Sequence, residues 1–276
     1  MSEAPGTLAR LRELCVGDGK RVDLFEAALT MGALRADKPV ELEPFRLHIR
    51  AMQAALAKAA RHHRAPSMLG EVIAEGYAYR GDSETYDDLQ NADLLRVIER
   101  RKGLPVALAI LYLHLARSQG WSAEGLNFPG HFLIRVELGG ARHVIDPFHD
   151  GAVLEGPELG ELVRKMTNGQ VDISPDHFDP VPDCDVLLRL ENNIRLRLAK
   201  REDWLGTAQS LDRMLAITPD RPDLLFEAGQ LNARLDRRRA AISAFERFLL
   251  LGGGRRTPEL GRRATDQLQE LRRGLN

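Results

Sequence analysis

The sequence predicts an α+β protein: helices first, then a buried central helix and a short antiparallel sheet, then an all-α tail. Three observations carry that expectation. Apolar residues recur at three- and four-residue spacing through most of residues 7–118, three short alternating runs follow Gly120, and helical periodicity returns after residue 183.

Taken in order, "TLARLRELC", "RVDLFEAALTMGAL" and "EPFRLHIRAMQAALAKAARHHR" read as helices, with "RADKPVELEP" as the loop between the last two. A further helix fits "PSMLGEVIAEGYAY", and "RGDSETYDDLQNADLLRVIERRKG" passes through a polar turn into a helix ending near Gly103. Residues 105–118, "PVALAILYLHLARS", are apolar on all sides, as expected of a helix buried all round. Pro105 suits its first position, where a missing N–H costs nothing. "WSAEGLNF", "HFLIRVEL" and "ARHVIDPF" read as strands, the last two joined across Gly139-Gly140.

Residues 151–183 read as loop-rich, with "ISPDHFDPVPD" as a boundary. Beyond it lie five helical runs, two of which superimpose at a period of 34: Ala208 on Ile242, Leu211 on Phe245, Leu215 on Leu249. That is the tetratricopeptide period, although Trp204 pairs with Arg238 and the fuller signature is degenerate. The expected domains are 1–182 and 183–276. A charge step accompanies them: residues 185–276 carry 18 Lys+Arg against 13 Asp+Glu, net +5, and the remainder is net −6.

The overall formal charge of −1 gives no general attraction to nucleic acid or an anionic membrane. No apolar run approaches the ~20 residues of a membrane helix. Cys15 and Cys184 make no disulfide framework, and "MSEAPGTLARLRELCVGDGK" has no apolar signal core, so a reducing, cytoplasmic setting is expected.

"NADLLRVIERRKGLPVALAILYLHLARSQGW", "GLNFPGHFLIRV" and "VIDPFHDGAVL" closely resemble bacterial transglutaminase-like proteins of the Sir regulator B type. Those carry a tetratricopeptide-like tail, which residues 185–276 also resemble. The combined run Arg-x-Gly-x-Pro, Pro-Gly-His-Phe and Asp-Pro-Phe is specific. The resemblance implies a papain/transglutaminase-like core. Active members place a Cys two residues after a Gly at the start of the central helix, with His and Asp on successive strands. In this chain Gly103 matches the Gly, Pro105 stands at the Cys position, and His131 and Asp146 match the other two.

Pairing around Gly139-Gly140 makes opposed residue numbers sum to 279. His131 and Asp146 then share a face as diagonal neighbours, roughly 7–8 Å apart at the backbone. A carboxylate there orients an imidazole, as in any nucleophile–base–orienter set. The nucleophile is missing: proline offers none, and residues 103–116 hold no Ser, Thr or Cys. Tyr112 lies about two turns along, ~10 Å from Pro105, and reads as a core or groove residue. The cysteines read as inert.

No metal site and no cofactor are expected. His131, His143, Asp146 and His149 crowd together, but alternation puts His143 on the opposite face, and only a distorted end at Pro147 would bring His149 round. "RHHR" at 61–64 reads as a solvated helix end. Arg100, Arg101 and Arg135 are candidates to hold an acidic ligand at the cleft. The Arg-rich tail has interleaved acids and few aromatics (Trp204, Phe226, Phe245, Phe248), so nucleic acid is not its expected partner. The leading expectation is a non-catalytic adaptor or regulator that binds a protein or peptide through the C-terminal helices. The rival is a hydrolase or acyl-transfer enzyme using His131 and Asp146 as a general base.

Overall fold

A computed structural model describes residues 5–16, 21–61 and 64–273. The chain divides into two compact units, Gly19–Leu190 and a second made of Met1–Asp18 with Glu191–Asn276. The expected cut lay at 182/183. The observed division falls eight residues later, inside a helix, and the first helix groups with the tail.

The mixed unit opens with α2 (Leu24–Arg35), whose first turn is capped by the Asp23 carboxylate accepting from Glu26 N, and α3 (Glu43–Ala59). A short α4 (Met68–Gly70) runs on into a π-helical turn, Glu71–Gly76. Then come β1 (Arg80–Gly81), α5 (Leu94–Arg100) and β2 (Lys102–Gly103). Helix α5 stops three residues before the expected Gly103, because Arg101 takes a left-handed conformation (φ 60°) and turns the chain into β2, parallel to β1.

Helix α6 spans Pro105–Ser118, with Pro105 in its first turn and every residue from Pro105 to Leu113 buried. It packs on α2, α3 and the sheet. Burying a Leu, Ile or Val side chain contributes about 1.5–3 kcal/mol, so this helix anchors the unit.

The sheet has five antiparallel strands in the order β6-β5-β4-β3-β7. They are β3 (Ser122–Leu126), β4 (Ile134–Leu138), β5 (Ala141–Asp146), β6 (Ala152–Leu154) and β7 (Pro180–Val181). The β4–β5 register pairs Ile134 with Ile145 and Arg135 with Val144, the expected sum of 279. Gly139 (φ 59°) and Gly140 (φ 80°) supply the two positive φ values that the tight hairpin turn requires.

The stretch expected to be loop-rich contains α7 (Gly156–Met166). Glu155 and Glu158 close a capping box at its start, and Leu159 and Val163 pack with Leu126, Phe128 and Leu133 of the sheet region. Helix α8 (Asp183–Lys200) begins in this unit, where Arg117 of α6 grips Asp183 with two bonds of 2.8 and 3.1 Å.

The helical unit contains α1 (Pro5–Cys15), the rest of α8, α9 (Trp204–Ile217), α10 (Pro222–Arg234), α11 (Arg238–Leu250), α12 (Gly253–Arg256) and α13 (Pro258–Arg273). Helices α9 and α11 start 34 residues apart, at Trp204 and Arg238, as the period requires. Leu225, Phe226, Phe245, Phe248, Ala264 and Leu268 form its core, with Leu215, Ile242 and Leu249 packed against them.

Candidate functional site

Three pieces of chain meet around β1. The N–H groups of Arg80 and Asp82 donate to Arg101 and Gly103 at 3.0 and 3.2 Å, while Gly81 N donates to Phe148 O on the other side at 3.2 Å. The start of α6 and the turn after β5 therefore flank one short strand. A Cβ on Gly81 would lie 2.5 Å from Phe148 O and 2.6 Å from its ring, so glycine permits the approach.

The start of α6 is packed. Gly103, Leu104, Pro105 and Val106 are buried, Leu104 N donates to Asn91 O at 2.9 Å, and a Cβ on Gly103 would meet Val97 at 2.9 Å. Pro105 brings neither a nucleophilic atom nor an exposed N–H to this helix start. Tyr112, two turns on, is fully buried. Burial raises its phenol pKa, with the negative charges of Asp150 and Asp146 acting in the same direction, so it stays protonated.

His131 and Asp146 are joined. Nε2 of His131 lies 2.9 and 3.0 Å from the two Asp146 oxygens, and the side chains are 4% and 2% exposed. The turn after β5 also brings His149 back to Asp146, with Nδ1 2.7 Å from Oδ2. Strand alternation carried past Pro147 does not foresee this. The chain turns there, with Asp150 (φ 53°) and Gly151 (φ 76°) both in positive φ. Phe148 N and His149 N donate to Oδ1 at 2.9 and 3.3 Å. Burial pushes the Asp146 carboxyl pKa up, but the hydrogen bonds and charges of His131 and His149 outweigh it and hold the pKa below the ordinary value. His143 pairs with Val136 on the face opposite Asp146. His62 and His63 of the "RHHR" run lie outside the described residues.

The three arginines expected at a ligand cleft are instead engaged within the unit. Arg100 donates to Asp82 at 3.1 Å and to Asn91 at 2.9 Å. Arg101 bonds His48 and the Tyr79 hydroxyl and lies over the Tyr79 ring, its guanidinium carbon 4.6 Å from the centroid. Arg135 pairs with Glu124 and donates to Phe178 O at 3.0 Å. They are structural partners of acids, rings and carbonyls that sequence spacing does not bring to mind.

Many arginines of the helical unit are paired as well. Arg213 and Glu191 form a buried bond of 2.9 Å, Arg195 meets Glu227, and Arg247 and Arg272 meet Asp220 and Glu246 at 2.8 and 2.6 Å. Arg234 stacks on Trp204, its guanidinium carbon 3.8 Å from the centroid. A groove of about 690 Å³ runs between α1, α9 and α11, lined by Leu8, Ala9, Val16, Leu215 and Ala216, with charges of both signs at Arg12, Glu13, Asp212 and Arg247. Apolar side chains thus make up much of this groove's lining.

The comparisons agree with this architecture. The transglutaminase-like superfamily matches residues 43–192, and the tetratricopeptide repeat matches residues 194–271. A UPF0162 protein of Xylella fastidiosa (strain Temecula1) is 33% identical over 179 residues, covering 63% of each chain. The chain thus spans under two thirds of that relative's length. A UPF0162 protein of Pseudomonas aeruginosa is 30% identical over 233 residues, 83% of this chain and 84% of its own. Human F-box only protein 21 is 32% identical over 171 residues, 59% of this chain and 26% of its own. With more than half its residues matched in one superfamily, and with the helical repeat behind them, the chain belongs to the transglutaminase-like superfamily, among the UPF0162 proteins.

Proposed function

We propose that this protein is a non-catalytic transglutaminase-like adaptor or regulator whose C-terminal helices hold a protein or peptide partner. One observation carries the reading: the position that would bear the thiol is Pro105, buried in the first turn of α6. Covalent acyl transfer needs a nucleophile there beside its base. The His131–Asp146 pair, almost wholly buried, serves instead as a polar tie between the hairpin and the turn after it. The apolar groove of the helical unit supports a partner site, since stacked helix pairs typically present such concave surfaces. Placement in the Sir regulator B type and in the cytoplasm belongs to this proposal. The motif run quoted above supports the first. The second is supported by two cysteines without a disulfide framework, and no described helix is long and apolar enough to cross a membrane.

The test has two arms. Purified protein is assayed on amide and ester substrates with and without iodoacetamide, and no thiol-sensitive turnover is expected. Partners captured from the native host by the full chain are then compared with those of Ala216→Glu, which places a charge in the groove, and of His131→Ala. Partners lost in the first variant and kept in the second support the adaptor. Thiol-sensitive turnover abolished in Cys15→Ala or Cys184→Ala would overturn it.

A further inference from the structure

We propose that His131, Asp146 and His149 form a binding site for a single divalent transition-metal ion of the zinc class. The site is independent of the adaptor reading. His131 Nε2, His149 Nδ1 and an Asp146 oxygen all lie within 4.8 Å of one another. Two imidazoles and one carboxylate suit zinc, cobalt or iron, whereas calcium and magnesium prefer all-oxygen sets.

The hydrogen bonding around Asp146 points the same way. Oδ1 is held by the backbone N–H groups of Phe148 and His149 and also meets His131. Oδ2 meets His131 at 3.0 Å and His149 at 2.7 Å. The backbone thus fixes the carboxylate through one oxygen and presents the other to two converging ring nitrogens. Two imidazoles and two amides together occupy the roughly four lone-pair positions of the one carboxylate. A cation at Oδ2 would stand where the two ring nitrogens converge and leave the two amide bonds to Oδ1 intact. It also sets a positive charge against a carboxylate whose side chain is only 2% exposed.

The geometry needs little adjustment. Ligand atoms around tetrahedral zinc at 2.0–2.1 Å stand about 3.3 Å apart. The nitrogen–oxygen distances would open by a few tenths of an ångström, and the two nitrogens, at most 4.8 Å apart, would close by no more than about 1.5 Å. His149 is 54% exposed and rides on a turn, so it can make that movement and gives the ion a way in. The rings of His131 and His149 both lie edge-on to Phe148, at centroid distances of 6.0 and 5.3 Å, which fixes their planes.

A second observation is independent of these ligands. The Tyr112 hydroxyl is buried with no hydrogen-bond partner among the described residues and lies against Gly151 in the same turn, where a Cβ on Gly151 would be 2.7 Å from it. Buried hydroxyls are ordinarily paired with protein or water. Three protein ligands leave a fourth zinc position for solvent, and a water held near this turn would satisfy the phenol.

The full chain is titrated with Co²⁺, read by its visible absorption, and with Zn²⁺ in competition with a chromophoric chelator. One saturable equivalent is expected, weakened by about 100-fold or more in His149→Ala. Tyr112→Phe should weaken binding less. Imidazole ¹⁵N spectra of the wild-type chain keep the test independent of any variant's folding: Zn²⁺ should move the signals of His131 Nε2 and His149 Nδ1. Absence of a saturable Co²⁺ spectrum would overturn the proposal. So would unmoved imidazole signals, or binding that survives His149→Ala but disappears when His62 and His63 are replaced by Gln.

Discussion

Asp146 receives His131 Nε2 at 2.9 Å from fifteen residues back in the chain and His149 Nδ1 at 2.7 Å from three residues on. One carboxylate therefore ties the loop entering β4 to the turn leaving β5. In Asp146→Ala the imidazoles and the N–H groups of Phe148 and His149 lose their acceptor. Each buried donor left unmade costs about 1–3 kcal/mol. Denaturant unfolding should show a loss at the upper end of that range or beyond, with His131→Ala milder because the backbone bonds to Asp146 survive. Equal losses in the two variants would contradict this account.

Stability should fall in two steps on acidification. His48 and His114 have pKa values below the ordinary 6.5, in each case chiefly through burial; Arg101 adds to the lowering at His48, while Asp23 partly opposes it at His114. His48 Nε2 faces Arg101 and the Tyr79 hydroxyl, and His114 Nε2 lies 2.9 Å from the Gln53 amide. A lowered histidine pKa means that the unfolded chain takes up the proton first, so stability drops as pH falls below 6.5.

The second step belongs to carboxylates. Burial alone would raise the Asp82 pKa, but the hydroxyl and N–H of Thr85, with Arg100, bring it from 3.8 down to about 2. The ionised form is favoured in the folded state, so its contribution of about 2 kcal/mol is present above the unfolded pKa and lost as pH falls from 3.8 toward 2. Asp146 acts in the same direction. Melting temperatures between about pH 8 and about pH 2 check both steps. A flat profile across the histidine range would refute the first, and His48→Gln with His114→Gln should flatten it.

Much of this architecture is readable before any coordinates. The β4–β5 register follows from the Gly139-Gly140 turn and strand alternation alone; His131 lies in the loop before β4 and not in the expected strand, yet its side chain meets Asp146. The limits of α6 follow from Pro105 and Gly120 bracketing an apolar run. Local signals carried these cases. Helix α7 was within reach too: Glu155 and Glu158 spell a capping box, and Leu159, Leu162 and Val163 keep helical spacing, but Gly156, Pro157 and Gly160 resemble breakers. Pro157 is in fact in the first turn, where it is tolerated. The arginine partners were out of reach. Arg101 meets His48 from 53 residues away and Arg100 meets Asp82 from 18, and no pattern in one sequence encodes such distant pairs.

Gly81→Ala should loosen the same region by a different route. Its new Cβ would press on the Phe148 carbonyl at 2.5 Å and on the ring at 2.6 Å. The carbonyl cannot retreat without breaking its 3.2 Å bond from Gly81 N. Overpacking of this kind costs about 1–3 kcal/mol. Displacement of Phe148 should also shift the His131 and His149 ring signals, a change that stability loss elsewhere in the unit would not produce. Unchanged ring signals would rule this route out.

The helical unit has its own critical pair. Arg213 of α9 donates to Glu191 of α8 at 2.9 Å and to Ser210 at 3.2 Å, with the two charged side chains 2% and 0% exposed. Removing one member strands the other charge away from water, at a cost of about 3–5 kcal/mol. Arg213→Met should therefore unfold the repeat region at much lower denaturant than wild type, with Glu191→Met similarly damaging. The double variant exchanges the pair for apolar volume, and such exchanges are often neutral or stabilising by about 1–4 kcal/mol. It should recover most of the loss. A double-mutant cycle measures this directly. Additive losses would mean that the pair contributes no coupling. A recovered double variant that keeps its groove partners would show that the ion pair acts through folding of the helices and not through the partner surface.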